Sequence, residues 1–385
     1  MPLKQSRLPI VWPEHLKSKR DMSYRALDLL YSNNQPDTFG DNLSLLLASS
    51  SQPEFGGLLR DSLGYMHKLE VTIMPNMVES KFRVSHEAAP GLSGATRITR
   101  VNDNLKVIGF QSGAVVPLTN YGHRKTFHCD VRGRFNHHAG EITCLAANLA
   151  GTKVASGCSV GTVALFQARE SEISFLSKVE QVKAGHLTDM CFYKPGSGFP
   201  YGNLNQSQPE DDSLLIMSGA GGLMELLDTR CKLAQALHTE LLFRNGQEDT
   251  VLTFSAQSPS NLFYLGTGHS GVLVCDIRQK GKIVQRVKHG DSDCCIRKLR
   301  EIMIWVGARQ RSFIVYINDE AGKLHILDKD TLKYSTEWIC ERDPGERIRD
   351  FTCIDERIIA CGDNMSIGCW AYERPSGSAA VAGDD

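Results

Sequence analysis

Short β-rich apolar runs, cut by Gly, Ser, Asn or Asp, recur along the whole chain, whereas helical spacing of apolar positions is hard to find beyond about residue 30. That pattern predicts an all-β fold. The clearest unit has a histidine loop at His138, an apolar strand over 142–146 and a polar turn. A second strand over 153–157 ends in Ser-Gly, and a glycine turn leads to a third strand over 162–167. Other copies align on it, with third strands ending at His67, Thr119, Gln167, Asp228, Asp276, Asp328 and Ala371, spaced 43 to 61 residues apart.

The longest interval contains 196–212, rich in Gly, Pro, Asn, Gln and Asp, which reads as a surface loop inserted between two strands. Units of this length predict a seven-bladed β-propeller, because closing a ring of four-stranded blades removes exposed sheet edges. The expected organisation is a flexible N-terminal arm over 1–20, the propeller over 21–374 and a disordered tail over 375–385. Nothing after Trp370 can form another strand, so the last blade is expected to take its outer strand from the N-terminal side, within 10–31.

The repeat resembles the WD-repeat family. Leu227-Asp228, Cys275-Asp276 and Leu327-Asp328 keep the apolar-Asp ending, and Trp370 is the one tryptophan at the position that names the motif. Gly185-His186 matches the Gly-His opening of a blade, and His138 and His289 hold the same slot. The resemblance implies a WD-repeat propeller in which the family's buried Asp-His-Ser network is degraded in most blades.

Composition narrows the function. Of 385 residues, 41% are apolar and 23% charged, which is enough to bury a sizeable core. Lys and Arg total 43 against 44 Asp and Glu, so no global field draws the chain to nucleic acid or anionic lipid. The N-terminal stretch has no apolar core long enough for a signal peptide, and a soluble protein of the cytoplasm, with a share in the nucleus, is expected. The 12 cysteines include no CxxC pair and read as reduced core thiols. The acceptor patterns at Asn42, Asn205 and Asn364 matter only on a secreted chain.

Candidate chemistry is sparse, and neither a metal nor a cofactor is expected. Gly266-Thr-Gly-His-Ser-Gly271 fits a dinucleotide fingerprint, but the strand VLVCD follows where a helix must face the pyrophosphate. It reads as a glycine turn in register with 109–113 and 157–161. The 12 histidines are scattered, and His137 and His138 are expected to point to opposite sides, so they cannot jointly hold a metal. No nucleophile with its base emerges. Arg297, Lys298, Arg300, Arg309 and Arg311 make the sixth unit basic and read chiefly as a solvated blade edge, with an acidic partner as the other reading.

Three stretches resemble the WD-repeat subunit of the methylosome, partner of the type II protein arginine methyltransferase. They are SLLLASSSQPEFGGLLRDSLGYM (44–66), NLKVIGFQSGAVVPL (104–118) and LLDTRC (226–231), in that family's order and spacing. The resemblance implies a non-catalytic scaffold, part of a hetero-oligomer, that presents histones or Arg/Gly-rich proteins for symmetric arginine dimethylation. In that family a first-blade loop offers an aromatic anchor to the methyltransferase. Here the loop carries Phe55, Leu58, Leu59 and Arg60 as protein-binding candidates, with Leu59 at the anchor position. A nucleoporin of the pore's outer ring is the runner-up. An enzyme on a propeller is the third reading, and it would need a polar cluster at the channel mouth.

Overall fold

The apolar runs form strands buried on both faces, which is why Leu214–Gly219 reads LLIMSG without alternation and is buried at every position. The computed structural model describes residues 4–7, 22–33, 41–51, 65–74, 77–87, 95–102, 104–120, 127–129, 134–182, 184–193, 214–220, 222–229, 243–244, 250–255, 261–279, 282–287, 295–306, 309–318, 323–334, 340–341, 348–354, 357–362 and 367–371.

These fall into seven four-stranded sheets. A short N-terminal strand β1 (Lys4–Arg7) precedes the first sheet, which comprises β2 (Met22–Asn33), β3 (Asp41–Ser51), β4 (Tyr65–Met74) and β5 (Met77–Glu87). The second comprises β6 (Ala95–Arg100), β7 (Leu105–Phe110), β8 (Val115–Asn120) and β9 (Phe127–Cys129). The third comprises β10 (Ile142–Ala147), β11 (Lys153–Cys158), β12 (Val163–Ala168) and β13 (Ile173–Val179). The fourth comprises β14 (Leu187–Tyr193), β15 (Leu214–Gly219), β16 (Leu223–Asp228) and β17 (Phe243–Arg244).

The fifth comprises β18 (Val251–Ser255), β19 (Leu262–Thr267), β20 (Val272–Asp276) and β21 (Lys282–Val287). The sixth comprises β22 (Ile296–Val306), β23 (Arg309–Asn318), β24 (Lys323–Asp328) and β25 (Cys340–Glu341). The last comprises β26 (Ile348–Ile354), β27 (Arg357–Gly362) and β28 (Ile367–Ala371), with β1 as its outer strand. All pairings are antiparallel. The first strand of each sheet touches that of the next, from β2 to β26, and β26 touches β2. The succession therefore closes on itself.

The core lies between sheets. In β15, Leu214 and Ile216 face the fifth sheet with Phe254 and Leu265, while Leu215 and Met217 face the third with Ala155 and Leu165. In β23, Phe313, Val315 and Ile317 pack on the last sheet, and Ile314 and Tyr316 on the fifth. These two second strands thus each cement two seams at once.

Two expectations are corrected. The closing strand is Lys4–Arg7, pairing Lys4 with Ala371 and Arg7 with Gly368, so it lies ahead of 10–31 and residues 4–7 are no flexible arm. Met22–Asn33 is already used as the first strand of the first sheet, and the run between Pro2 and Pro9 is long enough for an edge strand. The third strand of the first unit does not end at His67 but runs to Met74, where it makes a hairpin with β5. The other six endings fall on, or one residue before, the last residues of β8, β12, β16, β20, β24 and β28. The tail 375–385 lies outside the described residues.

Candidate functional site

Around the axis the same local device recurs. The first strands of sheets two to seven each carry one bulge near the start, where the register with the second strand skips Thr96, Thr143, Thr188, Leu252, Arg297 and Arg349. The threonines turn the bulge into a tie. Thr96 Oγ1 donates to the Ile142 carbonyl of the next sheet at 2.6 Å, and Thr188 Oγ1 donates to the Val251 carbonyl.

The residue after each bulge continues the ring. Asp189 Oδ2 accepts from Thr253 Oγ1 at 2.8 Å and from the Phe254 amide at 3.2 Å, and the Arg300 guanidinium stands 3.7 Å away. Thr253 Oγ1 in turn accepts from the Leu299 amide, and Lys298 pairs with Asp350. Arg300 is exposed and Arg311 partly so, yet both are engaged within the protein: Arg311 meets Asp328, Arg300 reaches Asp189 of the fourth sheet, and the less exposed Lys298 links the sixth sheet to Asp350 of the last. Sequence reasoning missed this ring, although Thr96, Thr143 and Thr188 recur at the same place in three units.

The turn between second and third strands confirms the reading of the glycine motif. Gly113, Gly161, Gly222 and Gly271 all have positive φ, from 68° to 80°. Gly271 is the last residue of the fingerprint-like run, and β20 follows it. At the outer ends of third strands, Asp276 caps its turn by accepting the Arg278 amide, and hydrogen bonds from the Arg278 side chain hold its carboxyl below the usual range.

His137 and His138 point apart. His138 Nε2 lies 2.6 Å from Ser156 Oγ in a buried contact, so one unit keeps the histidine-serine part of the family network. Burial first, then the charges of His137 and Lys178, lower its pKa to about 4, against the opposing pull of the Thr162 carbonyl, which favours the protonated ring. His137 stacks on Phe175, with ring centroids 3.8 Å apart. Cys144, Cys158 and Cys275 are buried free thiols, and burial pushes Cys275 up to about 12. Among the described residues no three His, Cys, Asp or Glu side chains come together as metal ligands, and no helix is long and apolar enough to cross a membrane.

Phe55, Leu58, Leu59 and Arg60 lie outside the described residues, between β3 and β4, as does 196–212 between β14 and β15. Of the stretches that carry the resemblance, 104–118 forms β7, its turn and most of β8. Leu226-Leu227-Asp228 closes β16, and Thr229 beyond it accepts from Lys153 Nζ of the third sheet at 3.3 Å.

Comparison with known proteins places this geometry. The crystal structure of Sqt1 from Chaetomium thermophilum, a WD-repeat protein, superposes with a TM-score of 0.57 at 12% identity, covering 92% of this chain and 97% of that one. The fold is that of the WD-repeat β-propellers. No family model and no curated protein matches the sequence.

Proposed function

We propose that this propeller is a non-catalytic scaffold that binds a type II protein arginine methyltransferase and presents protein substrates to it. The observation that carries the reading is the ordered trio of stretches 44–66, 104–118 and 226–231, which resembles the methylosome's WD-repeat subunit. The fold agrees with such a role, since propellers of this kind are commonly protein-binding platforms. The mechanism is positioning: holding enzyme and substrate on one rigid body raises the effective concentration of arginine side chains at the enzyme's site.

Phe55, Leu58, Leu59 and Arg60 provide the apolar and guanidinium groups of an interface anchor. Affinity purification of the chain from native extract tests the reading, with co-purified methyltransferase as the expected result. Phe55→Ala with Leu59→Ala is expected to lose the enzyme while the fold, followed by circular dichroism, persists. A pull-down without methyltransferase rejects the reading, and undiminished capture by the double variant rejects that loop as the contact.

A further inference from the structure

Closing the ring leaves one backbone edge open on each sheet, that of its outer strand, and β21 is the outer strand of the fifth. It is six residues long, whereas β9, β17 and β25 offer two or three. Two of its apolar side chains anchor it on opposite sides. Ile283 packs into the cluster between the fourth and fifth sheets, and buried Val287 into the one between the fifth and sixth. The side switches at a bulge, since Cys275 pairs with Ile283 and Val274 with Gln285, which skips Val284. Val284 is 47% exposed.

This edge is basic. Lys282 and Arg286 are exposed, and among the described residues no carboxylate comes within ion-pair distance of either. Asp276, the one acidic side chain on the described part of this sheet, is buried and held by the Nε and Nη2 of Arg278. On the facing turn of the sixth sheet, exposed Asp330 and Lys333 offset each other, which leaves the two cations of β21 uncompensated. On β13, by contrast, Lys178 pairs with Glu180. Strand alternation sets Lys282 opposite to Ile283 and Arg286 opposite to Val287, so one cation lies on the sixth-sheet side and the other on the fourth-sheet side. They are separated along the edge by about 13 Å.

We propose that Lys282, Val284 and Arg286 form a docking edge for an extended acidic segment of a partner protein. Its carboxylates meet Lys282 and Arg286, and a small apolar side chain covers Val284. A cation on each face selects a continuous acidic run over an alternating strand, whose acidic side chains would all fall on one face. Edge-to-edge pairing with a second copy is disfavoured, because its β21 brings the same charges. Nucleic acid fits less well, since the chain's net charge is −1 and β21 has no aromatic side chain on which a base could stack. The bulge confines backbone pairing to short runs on either side of Val284, so charge carries most of the contact. This edge stands independently of the methyltransferase reading.

Fluorescence anisotropy on the full chain tests it, with a fluorescein-labelled peptide of consecutive Glu residues around one Val as the probe. Saturable binding that weakens with salt is expected, together with about a tenfold loss in Lys282→Glu and in Arg286→Glu. Lys178→Glu, on a different outer strand, is expected to bind as the parent does. All three positions are exposed, and circular dichroism verifies that the variants fold. The proposal is overturned by an absence of binding, by an equal loss in Lys178→Glu, by undiminished binding to the β21 variants, by equal binding of the same peptide with Lys in place of Glu, or by tighter binding of single-stranded oligothymidylate.

Discussion

Gly109→Ala probes the seam between the second and third sheets at one point. A Cβ there falls 2.4 Å from Ile142 Cγ2 and 2.7 Å from Ile142 Cβ, well inside the 3.4 Å of ordinary contact, and Ile142 is fully buried. Relieving the overlap displaces β10 against the Thr96 tie, at an overpacking cost of about 1–3 kcal/mol. The restricted unfolded chain gives back about 0.4–1 kcal/mol, leaving a net loss near 1–2 kcal/mol. Ile142→Ala removes both γ carbons and by itself costs about 2–5 kcal/mol for the cavity. The alanine at 142 keeps its Cβ, 2.7 Å from the new methyl, so only the overlap with the γ carbons is relieved, and the double variant is expected to be more stable than additivity predicts by about 0.5–1 kcal/mol. Urea unfolding of the four proteins, followed by tryptophan fluorescence, measures the cycle. Strict additivity, or a Gly109→Ala protein as stable as the parent, would refute the seam geometry.

His138 makes the fold acid-sensitive in a defined window. The unfolded chain takes up a proton near pH 6.5 and the folded one only near 4, so the stabilisation is complete above 6.5 and about 3 kcal/mol is lost on descending to 4. Urea midpoints across this range should show that slope, and His138→Gln should flatten it; an unchanged slope removes His138 as the cause. Deleting residues 1–8 strips the outer strand from β28, and is expected to speed hydrogen exchange of the β28 amides more than those of β15. Equal protection with and without those residues contradicts the closure.

The repeat was legible because a strand buried on both faces writes a continuous apolar run and the turn after it demands glycine. LLIMSG-AGG and NLFYLG-TGHSG are legible for that reason, and six strand endings could be placed to within a residue. The closing strand was not, since Lys4–Arg7 is a polar edge strand whose pairing depends on β28, more than three hundred residues away. The ion-pair partners of the basic sixth unit were hidden for a similar reason. Lys298 and Arg300 look like a solvated cluster along the sequence, whereas the ring brings Asp350 and Asp189 to them from other sheets. Long-range pairing leaves no local signature. The threonine at each early bulge did leave one, at Thr96, Thr143 and Thr188.

The most direct test is reconstitution of the purified chain with a type II protein arginine methyltransferase and an Arg/Gly-rich substrate, following co-elution on gel filtration and the initial rate of symmetric dimethylation. The account predicts a joint peak, a faster rate at sub-saturating substrate when the chain is added, and no methyl transfer by the chain alone. Separate peaks with an unchanged rate, or methyl transfer without the enzyme, would contradict it.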